Sequence, residues 1–168
     1  MNYSGIKYSD MINGKGIRVS LFVSGCTHRC KGCFNKETWD PEFGNLFTSK
    51  EEDEIFLYFE KYGKTARGLS LLGGDPTYYK NVEPLIEFLK KFKSKFPTKD
   101  IWIWSGFTWE QLEKDKKRFE LISLCDVLID GRFNIDEKDL NLKWKGSRNQ
   151  RVIDIQKSIL EKQIVEYR

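Results

Sequence analysis

Short apolar runs and amphipathic stretches alternate along this 168-residue chain. Ile17-Arg-Val-Ser-Leu-Phe-Val-Ser24 is rich in β-branched and aromatic residues and predicts a first strand. Thr48-Ser-Lys-Glu51 has capping-box spacing, in which a hydroxyl and a carboxylate satisfy free amides at a helix start. Ile55, Phe56, Phe59 and Tyr62 follow at helical intervals. Gly68–Gly73 predicts a second strand. The next helix sets Val82, Leu85, Ile86, Leu89, Phe92 and Phe96 on one stripe, with lysines opposite. Asp100–Ser105 predicts a third strand. Thr108-Trp-Glu-Gln111 offers a second capping box, opening a helix through about Leu124. Cys125–Asp130 predicts a fourth strand and Gln150–Gln156 a fifth. Asn134–Ser147 reads as a long loop, and the tail after Lys157 carries no readable pattern.

Strands alternating with helices imply parallel βαβ units with right-handed crossovers. A complete eight-unit barrel takes ~250 residues. The expectation for this chain is therefore α/β: an incomplete, laterally open (β/α) barrel with a mostly parallel sheet, formed as one domain over residues 1–168. In such folds chemistry gathers at the carboxyl ends of the strands. The cysteine-rich segment after Ser24, the turn Gly73–Pro76, Ser105-Gly106 and Asp130–Arg132 all fall at those ends. The chain has no repeat, low-complexity stretch or linker.

Composition changes this picture little. Hydrophobic residues make up 39% and charged residues 32%, as in ordinary soluble domains. With no long apolar segment and no secretory leader, a cytoplasmic protein with no membrane association is expected. The net charge of +4 includes Lys90, Lys91, Lys93 and Lys95, which read as the solvated side of a helix. No basic aromatic motif accompanies them, so nucleic acid is not an expected partner.

The candidate chemistry lies in Cys26-Thr-His-Arg-Cys30-Lys-Gly-Cys33. Three thiolates on one loop can hold a metal centre, but three is one short of a closed cubane cluster or a tetrahedral zinc site. An incompletely ligated centre keeps a position open for chemistry. The residues alone leave three readings: a cluster with one open iron, a zinc site completed by His28 or Cys125, or a closed four-cysteine cluster. His28 lies between two of the cysteines, a poor position for joining them at one ion, and is expected to be an exposed loop residue. Cys125 opens a buried strand and is expected to act as a small hydrophobe.

Other groups are less specific. Gly73-Gly74-Asp75-Pro76 lets backbone approach a ligand and supplies a carboxylate, or is simply a tight turn. Asp130 and Arg132 share a side by the two-residue period and either meet a ligand or form an ion pair. Ser105 is a further candidate for the same pocket. Trp102, Trp104 and Trp109 read as core and wall. Arg18, inside the first strand, needs a partner and is expected to brace the cysteine loop or an incoming protein. With a single histidine, no acid–base pair or nucleophilic triad is apparent.

The run C-x3-C-x2-C together with Gly73-Gly-Asp-Pro76 resembles the radical S-adenosylmethionine (SAM) enzymes. The stretches Asn13–Cys26 and Cys33-Phe-Asn-Lys-Glu-Thr-Trp-Asp40 resemble glycyl-radical-enzyme activases. Trp102-Ile-Trp-Ser-Gly-Phe107, Asp130-Gly-Arg-Phe133 and Trp144–Gln150 are most similar to the activating proteins of anaerobic ribonucleoside-triphosphate reductase, and the likeness runs to about residue 157. It implies a radical SAM barrel, a [4Fe–4S] cluster on Cys26, Cys30 and Cys33, and SAM at the open iron. It further implies SAM contacts at Gly32, Cys33, Phe34, Gly73, Gly74, Asp75, Ser105, Asp130 and Arg132. Many members of the wider group carry an aromatic just before the third cysteine. This chain has Gly32 there, and Phe34 follows instead. The implied partners are the anaerobic reductase as protein substrate and a low-potential electron donor such as flavodoxin or a thiol system. The rival readings are an activase of another glycyl radical enzyme such as pyruvate formate-lyase, a small-molecule radical SAM enzyme, or a zinc-binding module.

Overall fold

The computed structural model describes residues 1–168. Strand β1 (Asn2–Asp10) pairs antiparallel with β2 (Ile17–Val23) and with the two-residue β3 (Asn45–Leu46). Helix α1 (Ser49–Tyr62) leads to β4 (Ala66–Gly73), and α2 (Tyr79–Lys95) to β5 (Asp100–Trp104). Two short helices, α3 (Trp109–Leu112) and α4 (Lys116–Ser123), precede β6 (Val127–Asp130). Strand β7 (Arg151–Asp154) and helix α5 (Ile155–Glu161) complete the order. One open sheet results, ordered β3-β1-β2-β4-β5-β6-β7, with β2, β4, β5 and β6 parallel at its centre.

Both capping boxes form. At Thr48 the amide donates to Glu51 Oε2 at 2.7 Å, and at Thr108 the amide donates to Gln111 Oε1 at 2.9 Å. The helix expected from Thr108 to Leu124 is instead broken in two. The Asp115 carboxylate accepts from the amides of Lys117 and Arg118, both at 3.1 Å, and so caps a fresh helix.

Three further expectations are corrected. Strand β1 lacked a sequence signal because it lies next to the sheet edge, covered on its outer side only by the two-residue β3, is largely exposed or half-buried, carries Gly5 and is bulged twice against β2. Strand β7 runs antiparallel to β6, not parallel. The connection between them holds only a short 3-10 turn at Ile135–Glu137, so nothing carries the chain back to the other end of the sheet. The tail, unreadable in sequence, forms α5 and then returns along β7: Tyr167 N donates to Val152 O at 2.9 Å.

Strand alternation gives the sheet two chemically different faces. Val19, Leu21, Val23, Leu69, Leu71, Ile101, Ile103 and Leu128 face the helices and, with Ile55, Phe59, Leu85, Leu89 and Phe92, form the main apolar core. Each such side chain contributes roughly 1.5–3 kcal/mol by leaving water. The other face carries Arg18, Ser20, Ser70, Trp102 and Trp104. Trp102 there packs edge-on against Trp144 and Tyr167, with ring centroids 4.8 and 5.1 Å apart. No helix is long and apolar enough to cross a membrane. The exposed lysines of α2 tie helices together, Lys91 to Glu52 at 2.8 Å and Lys90 to Glu120 at 2.9 Å.

Candidate functional site

The loop after β2 and the turn after β4 are bound to each other by backbone. Gly25 N donates to Thr38 O at 2.7 Å, Asp75 N to Gly25 O at 2.8 Å and Gly74 N to Val23 O at 2.7 Å. A Cβ on Gly74 would lie 2.7 Å from Gly25 O and 2.8 Å from Thr38 O, so any side chain there would force the two segments apart.

A cavity of about 220 Å³ opens where these segments meet the ends of β5 and β6. Cys26, Cys30, Cys33, Phe34, Gly73, Gly74, Asp75 and Ser105 all line it. Three residues singled out in sequence do not. Gly32, left-handed at φ 76°, lies beside Ile135 and Phe133, and Asp130 and Arg132 border an adjoining polar groove. Asp130 is buried and its carboxylate is occupied, accepting from Trp109 N at 2.7 Å and from Arg151 Nε at 3.0 Å. Arg132 does not pair with it; its Nη2 donates to His28 O at 2.5 Å.

Asp75 is the hub of the cavity floor. Its Oδ1 accepts from Thr77 N at 2.8 Å and Thr77 Oγ1 at 2.7 Å. Its Oδ2 lies 2.8 Å from His28 Nε2, 3.0 Å from Gly106 N and 3.3 Å from Ser105 Oγ. A carboxylate with this many donors is a fixed point, around which the cysteine loop, the β4 turn and the end of β5 are organised.

His28 is therefore not the exposed loop residue expected. Its side chain is 9% exposed, lies on Asp75, and meets Phe107 edge-on at 4.4 Å. Asn35 and Trp39 were also missed. Both line the cavity; Asn35 N donates to Cys33 Sγ at 3.4 Å, and its Nδ2 to Gly73 O at 3.3 Å. The Thr38 hydroxyl donates to Asn35 O at 2.7 Å and fixes that turn. Such residues lie within the segment Phe34–Asp40, whose polar pattern alone gives no signal of a pocket.

Arg18 is likewise corrected. It sits at the amino ends of the strands, away from the cysteines, donating to Ser70 Oγ at 2.7 Å, Leu69 O at 2.7 Å and Asp100 Oδ1 at 2.5 Å. Trp104 forms cavity wall, while Trp102 and Trp109 are buried, as expected.

All four cysteines are free. Burial pushes the Cys26 thiol up to about 11; the His28 amide offsets part of that, and the Asp75 charge adds to it. Its proton leaves when a metal takes its place. Cys125 is fully buried in the apolar core, with its thiol raised by burial and directed at Leu121 O, 3.6 Å away. It does not line the cavity, so a closed four-cysteine set does not form. No three His, Cys, Asp or Glu side chains converge where one ion would bind. Three thiols lining one cavity, with Cys125 outside it, are a donor set that fits an iron–sulfur cluster with one iron not bound by cysteine.

Fold and cavity together define a small α/β protein built to carry one iron–sulfur cluster, and a family model described as a 4Fe-4S single cluster domain matches residues 12–153. The relatives are more specific. Proteins called anaerobic ribonucleoside-triphosphate reductase-activating protein are 42% identical in Pasteurella multocida, over 89% of this chain and 95% of that one. The one from enterobacteria phage T4 is 43% identical over 90% and 93%, and that of Escherichia coli K12 40% identical over 89% and 96%. This chain belongs to the family of anaerobic ribonucleoside-triphosphate reductase-activating proteins.

Proposed function

We propose that this chain reductively cleaves SAM and generates a glycyl radical on anaerobic ribonucleoside-triphosphate reductase. The observation that carries the reading is the cavity itself: three free thiols of one loop, with no fourth in reach, facing a glycine turn at the carboxyl ends of parallel strands. On this reading Cys26, Cys30 and Cys33 hold a [4Fe–4S] cluster, and residues 1–168 act as one incomplete barrel of the radical SAM type. When bound and reduced by an external low-potential donor, the cluster would supply the one-electron chemistry for reductive cleavage of SAM to methionine and a 5′-deoxyadenosyl group, the oxidant that would take hydrogen from a glycine of the reductase.

The chain's own residues bind, orient and exclude water. Gly73 and Gly74 bring backbone to the cavity wall without side chains in the way. Phe34 and Trp104 give that wall apolar area suited to a nucleoside. Asp75 and Ser105 act chiefly by holding the surrounding segments, because their polar atoms are already bonded to Thr77, Gly106 and Phe107. The glycine target suits a recessed cavity, since it presents no side chain. The electron donor is of low potential, such as flavodoxin or a thiol system, and the working place is the cytoplasm.

The test is anaerobic reconstitution followed by reduction. The expected results are about four irons per chain, 5′-deoxyadenosine and methionine formed from SAM, and a glycine-centred spin signal once the reductase is added. A colourless chain that leaves SAM intact would overturn the reading.

A further inference from the structure

His28 lies midway between Cys26 and Cys30, and it is held at two points. Its ring is on Asp75 (2.8 Å), wedged against Phe107 and over Gly106, where an added Cβ would come within 2.3 Å of the imidazole. Its carbonyl accepts from Arg132 Nη2 at 2.5 Å. The next residue, Arg29, is exposed and has φ 48°. A side chain in the left-handed region costs on the order of 1–2 kcal/mol, and such a conformation persists only where its surroundings over-determine it. No hydrogen bond from the Arg29 side chain holds it there. The residue before it supplies both anchors.

We propose that His28 is a positioning residue for the cluster loop. Its two anchors hold Arg29 left-handed, and that turn sets how Cys26 and Cys30 face the cavity. This gives Arg132 a role through His28 rather than on SAM, and it gives Asp75 a task besides closing the β4 turn. The inference rests on the reading of Cys26, Cys30 and Cys33 as cluster ligands, and goes beyond it by naming what orients them.

The test uses the full chain reconstituted anaerobically, in four forms: wild type, His28→Ala, His28→Gln, and His28→Ala combined with Arg29→Gly. Readouts are the rate of iron loss to a chelator, the change in the reduced cluster's spin signal on adding SAM, and the melting point of the metal-free chain. His28→Ala is expected to lose iron about tenfold faster, as befits release of a strained turn, and to show a weakened response to SAM. His28→Gln restores a donor to Asp75 and recovers most of the loss. Arg29→Gly recovers part of it in the Ala background, because glycine takes the left-handed turn without strain. A purely structural role would lower the melting point with no selective rescue by glycine at position 29. Wild-type behaviour in His28→Ala, or equal defects in all three variants, would overturn the proposal. A wild-type chain that takes up no iron would overturn the cluster reading itself and this inference with it.

Discussion

Two buried ionic networks lie at opposite ends of the same sheet, and only one of them borders a cavity. At the amino ends, Arg18 is fully buried, spends its donors on Ser70, Leu69 O, Lys15 O and Asp100, and lies 5.2 Å from the centre of the Trp102 ring. Beside it Asp10, also buried, accepts from Ser20 Oγ and Asn13 Nδ2, both at 2.6 Å. At the carboxyl ends, Asp75 gathers His28, Thr77, Ser105 and Gly106. Both networks satisfy their charges. The amino-end set closes on itself under Trp102, while the carboxyl-end set fixes the walls of a cavity that holds three thiols. A buried charge therefore says little by itself; what matters is whether the atoms it positions face a cavity or a packed interior.

The largest expected effect sharpens this contrast at the cysteines. Replacing Cys26, Cys30 or Cys33 by Ser should abolish cluster binding, whereas Cys125→Ser should leave iron content and the visible absorption unchanged, as measured after anaerobic reconstitution.

Next come the two hubs. Asp75→Asn replaces one acceptor oxygen by a donor, which must face either Thr77 N on one side or Gly106 N on the other, so it should cost about 3 kcal/mol of stability and at least most of the SAM cleavage. Arg18→Ala should cost a similar amount, about 3 kcal/mol, yet leave iron per folded chain at the wild-type level. Denaturant titration paired with iron analysis separates them, and equal loss of cluster in both would erase the distinction between the two ends.

The amino-end network should also be visible in acid. Burial pushes the Asp10 carboxyl up, but hydrogen bonds from Ser20, Ile12, Asn13 and Lys7 outweigh it and hold the group at about 2 instead of 3.8. A depressed carboxyl stabilises the fold in full above its unfolded value, and that stability is lost as pH falls through the folded one. Its contribution is about 2 kcal/mol. Melting of the metal-free chain between pH 5 and 2 should fall less steeply in Asp10→Asn than in wild type. The smallest effect is expected on the helix layer. Lys91→Ala breaks an exposed pair with Glu52 and should change stability by no more than about 0.5 kcal/mol, read from the same titration.

Much of this was legible in one dimension because it depends on local pattern. The stripe Val82–Phe96, the apolar runs of β2, β4, β5 and β6, and both capping boxes follow from periodicity and short-range hydrogen bonding, and they fix the α/β class. The cysteine spacing and the glycine turn likewise need only neighbouring residues to be seen. Strand β7 is legible within Gln150–Gln156, but its antiparallel direction depends on where a long loop ends. Strand β1 was not legible, since an exposed, bulged strand carries little apolar alternation. Nor was His28, whose partner Asp75 is 47 positions away, or the separation of Asp130 from Arg132, whose own partners lie on α3, β7 and the cysteine loop.

The sequence by itself determined the thiol set, the glycine turn beside it and the alternation of the central strands β2, β4, β5 and β6 with helices. Only the tertiary structure decided which charges became scaffolding, which residue holds the cysteine loop, and how the tail covers the edge of β7. Local pattern follows from bonds between near neighbours in the chain. The partner of a buried polar group is chosen by whichever distant segment the packed sheet brings within about 3 Å.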